Sequence, residues 1–234
     1  MKTNNKVLSR SLASTILVIG TAFAMVSCST THQVRSVKES GFLEDYGQLQ
    51  KGGEGEAQLI YINPSTVFSG YNKIMIDPIA VYADENSKLA KLPNDDLQAL
   101  VNYLHATLHD QLGKIYDIVS YPGPETMRLR VALTEAKGSK VVLDTLSSAI
   151  PIGIGISALK RVAIGTNASI GQTRVEAEIL DSETDERLLA AIDARAGRKY
   201  TGKFDKWKKW QDAKDAYDYW AKRLKIRLAK LRAK

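Results

Sequence analysis

Hydrophobic and polar positions alternate most cleanly in two stretches. Met127, Leu129, Val131 and Leu133 are interleaved with Arg128, Arg130, Ala132 and Thr134. Thr173, Val175, Ala177 and Ile179 are interleaved in the same way with Arg174, Glu176 and Glu178. A period of two sends the sets to opposite faces of a strand, so both stretches predict half-buried β-strands. The polar turn Asp181–Glu186 joins the second stretch to Arg187–Arg195, which predicts a hairpin. On this pattern Glu176 and Glu178, beside Arg174 and across from Arg187 or Arg195, form a charge ladder on the solvent side. Lys73–Tyr82 is a third strand candidate, which Pro78 confines to an edge or breaks. Ile115–Val119 is a short fourth, closed by the turn Pro122-Gly123-Pro124.

Two segments follow a helical period instead. Leu97, Leu100, Val101, Leu104, Leu108, Leu112 and Ile115 share one face. Pro93-Asn94-Asp95-Asp96 supplies the start, with acids where the helix dipole favours them, and Gly113–Lys114 the end. From about Phe204 onward, Trp210, Ala213, Tyr217, Trp220, Ala221, Leu224, Leu228 and Leu231 line a second, long amphipathic helix. Trp207 and Ile226 lie off that stripe and are free to touch a partner. The order of elements predicts an α+β fold: a mostly antiparallel sheet with two main helices packed on one face.

Val141–Ile170 fits two periods at once. Leu143, Leu146, Ile150, Ile154, Ala158 and Val162 make a helical stripe, yet Ile150, Ile152, Ile154 and Ile156 also alternate with Pro151, Gly153, Gly155 and Ser157. A helix, a hairpin that touches a membrane or another copy, and a covering loop all fit. Lys160 and Arg161 interrupt the run, so it is not a simple membrane span.

The N-terminus has a different pattern. Lys2, Lys6 and Arg10 precede a 15-residue uncharged run, Leu12–Val26. That is a signal peptide, since about 20 apolar residues are needed to span a bilayer comfortably. The run ends Met25-Val26-Ser27-Cys28, which resembles a bacterial lipobox, with Met25 in place of the usual Leu. The resemblance implies cleavage between Ser27 and Cys28 and diacylglyceryl attachment to the Cys28 thiol. Several acyl chains, each buried CH₂ contributing about 0.8 kcal/mol, make a permanent anchor. Ser29 rather than Asp after the cysteine implies, by the sorting rule of Gram-negative lipoproteins, delivery to the outer membrane on its periplasmic face. The expected organisation is a signal peptide over residues 1–27, a lipidated tether over 28–40 and a single periplasmic α+β domain over 41–234. Fully extended, the tether reaches at most about 40 Å.

Composition adds limits. Of 234 residues, 44% are hydrophobic and 25% charged, the balance of an ordinary globular chain. Cys28 is the only cysteine, so neither an intrachain disulfide nor a CxxC pair exists. The net charge of +7 is unevenly spread. Residues 198–234 hold 14 Lys+Arg against 4 Asp, a net of +10, whereas residues 28–197 hold 16 bases against 22 acids, a net of −6. An acidic body carrying one basic, Trp- and Tyr-bearing helix suits an anionic lipid or an envelope protein as partner. The periplasmic address disfavours nucleic acid.

A family resemblance rests on two blocks. Ser40-Gly41-Phe42-Leu43-Glu44-Asp45-Tyr46, soon after the lipobox cysteine, resembles the opening of a bacterial lipoprotein family known as domain of unknown function 3313. Val175-Glu176-Ala177-Glu178-Ile179-Leu180-Asp181-Ser182, with Glu186-Arg187-Leu188 and Asp193, is similar to the same family's second block. The resemblance covers most of the mature chain and implies lipidation, with no activity, cofactor or catalytic residue.

Catalytic chemistry is thinly represented. His105 and His109, four apart on one helix face, are weak metal candidates without an evident third ligand. Asp95 and Asp96 are explained by the helix start. Glu176 and Glu178 would need a cleft to act as a glycosidase-like acid/base pair. Gly153-Ile-Gly155-Ile-Ser-Ala158 is only a degenerate nucleotide-binding pattern. There is no GxSxG, HExxH or GxxxxGKS/T. The sequence therefore points to an outer-membrane-anchored periplasmic lipoprotein, a non-enzymatic envelope accessory or assembly factor needing no cofactor. An envelope hydrolase or glycan-binding protein using Glu176, Glu178 or the histidine pair is the alternative.

Overall fold

The hairpin expected from the alternation is the middle of the sheet. β9 (Gln172–Asp181) and β10 (Arg187–Gly197) pair antiparallel, with a register irregularity between Arg187 and Leu189. Their turn is closed by the Asp181 side chain, whose Oδ1 accepts from the Glu183 and Thr184 amides at 3.0 and 2.9 Å. Asp185 adopts φ 57°, the left-handed conformation that short polar residues tolerate. The computed structural model describes residues 31–34, 39–83, 89–134, 142–143, 172–197 and 210–234.

The remaining elements, in chain order, are β1 (Thr31–Gln33), β2 (Gln50–Lys51), β3 (Leu59–Ile62), β4 (Lys73–Ile76), β5 (Ala80–Tyr82) and α1 (Asn94–Leu112). They are followed by β6 (Asp117–Val119), β7 (Thr126–Thr134), β8 (Val142–Leu143) and, after β10, α2 (Gln211–Arg232). The sheet runs β2-β3-β10-β9-β7-β4-β6, with β1 also on β10, β5 on β7, and β8 on β5. It is mostly antiparallel: β4 and β5 pair parallel with β7, and β6 pairs parallel with β4.

Pro78 does break the Lys73–Tyr82 run, falling between β4 and β5. Neither half is a free edge, because β4 lies between β7 and β6, and β5 between β7 and β8. Proline's missing donor thus falls in the gap, where no ladder bond is needed. α1 starts after Pro93, carries Asp95 and Asp96 in its first turn, and ends at Gly113, whose amide donates to the His109 carbonyl at 2.9 Å. The start of the second helix expected near Phe204 lies outside the described residues, as do most of Val141–Ile170 and the Gly153–Ala158 pattern.

Alternate strand residues feed two hydrophobic clusters. Leu129, Val131 and Ile179 join Leu100, Leu104 and Leu108 of α1 and Tyr217, Ala221 and Leu228 of α2. Ala132, Ala190 and Ile192, which point the other way, join Phe42 and Leu43 from the segment before β2. Both faces of the central strands are therefore covered. Residues 31–33, within the span expected as a tether, form β1 and pair with β10 from Gly197 to Arg195. Arg195 fixes that strand by donating to the Thr31 side chain and to its carbonyl, both at 2.7 Å.

Candidate functional site

The covered face corrects the expectation of a solvent-side charge ladder. Glu176 and Glu178 are 0% and 2% exposed. In the sheet Glu176 lies between Ala132 and Ile192, which offer no polar partner, and Glu178 lies between Arg130 and Ala190. A buried carboxylate without donors would be costly, so each finds them elsewhere. Glu176 accepts from the Ser40 amide and the Tyr46 hydroxyl, both at 2.7 Å. Glu178 pairs with Arg130 at 2.6 Å and with Arg187 at 2.9 Å. Arg187 also donates to the Asp45 carbonyl at 2.7 Å, and the Arg130 guanidinium lies over the Phe42 ring at 5.3 Å.

The two blocks that carry the family resemblance therefore meet. Ser40 and Tyr46 satisfy Glu176 directly, whereas Phe42 and Asp45 touch the two arginines that pair with Glu178. Burial pushes Glu176 above the usual carboxylate range, against the hydrogen bonds from Tyr46 and Ser40. Burial and the neighbouring Glu176 push the Tyr46 hydroxyl up to about 12. With its side chain buried and both oxygens of Glu176 accepting hydrogen bonds, this arrangement holds the cover segment in place.

Open space lies between α2 and the sheet instead. A cavity of about 150 Å³ is walled by Leu104 of α1, Leu129 of β7, Val175 and Ala177 of β9, Leu189 of β10 and Leu224 of α2. Tyr219, Arg223, Ile226, Arg227 and Lys230 of α2 also line it, and follow one another at helical spacing along one flank. The loop Gly55–Ala57 faces them across the cavity. Arg223 donates to the Gly55 carbonyl, and Arg227 pairs with Glu56.

Besides Glu56, the carboxylate of Asp193 reaches this cavity. Asp193 is 4% exposed. Its Oδ2 accepts from the Trp220 indole at 2.7 Å, and its Oδ1 from the Gln33 side chain at 2.6 Å and the Gln58 amide at 3.3 Å. Burial raises its pKa, opposed by Gln33, Trp220 and the Arg195 charge. Trp220 is held in turn by stacking on Tyr217, with ring centroids 5.9 Å apart.

The other sequence candidates are dispersed. Ile226, off the hydrophobic stripe of α2, is on the cavity wall. Trp207, Ser27 and Cys28 lie outside the described residues. His105 is half-buried on α1, with its pKa lowered by burial, whereas His109 is exposed. Among the described residues no group of three or more His, Cys, Asp or Glu side chains could hold a metal ion. No described helix is long and apolar enough to cross a membrane.

Sequence reasoning missed the burial of the glutamates, although a signal was present. Ala190, Ile192 and Ala194 share their face of the sheet, and apolar residues on both faces of a strand mean that both are covered. The cavity had no signal of its own, because it depends on how far α2 stands from the sheet.

The model of the family described as protein of unknown function (DUF3313) matches residues 38–224. No curated protein matches the chain. Among solved structures, a PelC dodecamer from Paraburkholderia phytofirmans is 13% identical, covering 71% of this chain and 94% of that one, with a TM-score of 0.37. A candidate lipoprotein from Caulobacter crescentus is 14% identical over 70% of this chain and 93% of that one, with a TM-score of 0.30. A DUF4136 family protein from Bacteroides thetaiotaomicron is 11% identical over 72% and 94%, with a TM-score of 0.34. Scores at this level support no inference about function.

Proposed function

The chain belongs to the DUF3313 family of proteins of unknown function, and we propose that it is an outer-membrane-anchored lipoprotein whose body acts in the periplasm as a non-enzymatic accessory or assembly factor. The observation that carries this reading is Cys28, the only cysteine, placed directly after Leu12–Val26 and Ser27. Ser29 favours the outer membrane over the inner one. The burial of Glu176 and Glu178 under Ser40–Tyr46 supports a non-catalytic body, since these are the carboxylates a hydrolase would have used.

The anchor holds the body close to the bilayer. Thr31 is already paired with Gly197, so only Ser29 and Thr30 separate Cys28 from the sheet, a reach of at most about 10 Å. The end of the sheet where β10 finishes then faces the membrane, and the opposite end, with the β9–β10 turn, faces the periplasm. An envelope protein is the expected partner at that distal end.

Processing in the cell tests the reading. Globomycin, which blocks the lipoprotein signal peptidase, is expected to accumulate the precursor. Density-gradient fractionation is expected to place the mature protein with outer-membrane markers. Globomycin-insensitive processing, or recovery of the wild-type chain in the soluble periplasm, would overturn it.

A further inference from the structure

The cavity under α2 combines two chemistries that are usually kept apart on a protein surface. Its interior is aliphatic, contributed by four strands and both helices. The α2 flank beside it carries three cations, Arg223, Arg227 and Lys230, against one facing anion, Glu56. Among the described residues, the carboxylate at the apolar side is Asp193, already engaged by Trp220, Gln33 and Gln58. An apolar molecule alone would gain nothing from the cations, and a small anion alone would leave the aliphatic walls unused. We propose that this cavity binds a single aliphatic chain ending in an anionic head, with the chain against Ala177 and Trp220 and the head among Arg223, Arg227 and Lys230.

Charge complementarity and shape both select for this occupant. A chain entering beside α2 buries methylenes at about 0.8 kcal/mol each. Its head stays at the partly solvated flank, where guanidinium groups pair well with carboxylate or phosphate. The Arg227–Glu56 pair ties the Gly55–Ala57 loop to α2, and an incoming anion competes with Glu56 for Arg227. Free fatty acids and lysophospholipids share this chemistry. The inference does not rest on lipidation of Cys28, and it is tested on a chain that lacks that cysteine.

The test uses the full chain carrying Cys28→Ala, recovered without detergent. ω-Bromodecanoate is titrated in, because bromine quenches the fluorescence of a tryptophan it touches. Saturable quenching is expected, and it should be lost in Trp220→Phe. Ala177→Leu, which fills the cavity, is expected to weaken binding about tenfold or more, the equivalent of about 1.4 kcal/mol. Arg223→Gln combined with Lys230→Gln should weaken the carboxylate by about the same factor while leaving ω-bromodecanol unchanged. Thermal unfolding confirms that each variant is folded. Protection of Trp220 by lysophosphatidylglycerol would identify a lysolipid, and protection by unbrominated decanoate alone a free fatty acid. Quenching that does not saturate, that persists in Ala177→Leu or Trp220→Phe, or that is as strong with the alcohol as with the acid would overturn the proposal.

Discussion

The Tyr46 hydroxyl donates a 2.7 Å hydrogen bond to the Glu176 carboxylate across 130 residues of chain. It is one of the bonds that join the two sequence blocks by which the family is recognised. Tyr46→Phe keeps the ring and removes the donor, leaving one oxygen of a buried carboxylate unsatisfied. Such losses cost about 1–3 kcal/mol. Urea unfolding should show that decrease, and Tyr46→Phe together with Glu176→Gln should be less destabilised than the sum of the two single changes.

Glu178 depends on both of its arginines. Replacing Arg130 and Arg187 together by Met leaves an uncompensated buried charge, and breaking a buried pair in this way costs about 3–5 kcal/mol. Replacing Arg130 alone should cost less, since Arg187 still donates to Glu178 at 3.0 Å. Denaturant midpoints of wild type and the two variants check the order.

The burial of Glu176 and Asp193 has a pH signature. Both carboxyls are pushed above their ordinary values in the folded protein. Between the unfolded and folded values the native state therefore holds more protons than the unfolded chain. Their contribution is fully present below the unfolded value and is lost as pH rises through the folded value. Asp181 behaves oppositely. Its pKa is lowered by hydrogen bonds from Thr184, Tyr71 and Glu183, which outweigh the burial that raises it. Comparing wild type with Glu176→Gln isolates one group. The stability difference between them should shift in favour of Glu176→Gln as pH rises from about 4 to about 8.

The loop beside the cavity leaves no room at Gly52. A Cβ there would lie 1.9 Å from the Ala57 carbonyl oxygen, and backbone cannot yield as a flexible side chain can. Gly52→Ala should cost about 1–3 kcal/mol and weaken amide protection at Gly52, which donates to the Gln58 carbonyl at 3.0 Å. At Gly70 an added Cβ would meet nothing within 4 Å, so Gly70→Ala serves as the control and should be within about 0.5 kcal/mol of wild type.

Local patterns carried the elements. The alternation in Met127–Thr134 and in Thr173–Asp181 foretold β7 and β9, and the Leu97–Leu112 stripe foretold α1 almost to its ends. The polar turn after Leu180 foretold the hairpin. Long-range relationships were not legible in the same way. Glu176 looks like a solvent-facing strand residue until Ser40–Tyr46 folds over it, and nothing local to β9 announces that cover. The parallel pairing of β4 and β5 with β7 depends on the crossover through α1. The polar span after Cys28 reads as a linker because β1 is only three residues long and is held by partners far along the chain, Arg195 and Asp193 among them. Ile226 reads from the sequence as a residue off the stripe, whereas the cavity it lines is a property of packing between elements.

The mass of the N-terminal peptide of the protein extracted from outer membranes tests the central claim most directly. The expected peptide begins at Cys28, with residues 1–27 gone and the mass of a diacylglyceryl group and an N-acyl chain added to the cysteine. Cys28→Ala should yield no acylated species. A wild-type peptide that begins at another residue, or that carries an unmodified Cys28, would contradict it.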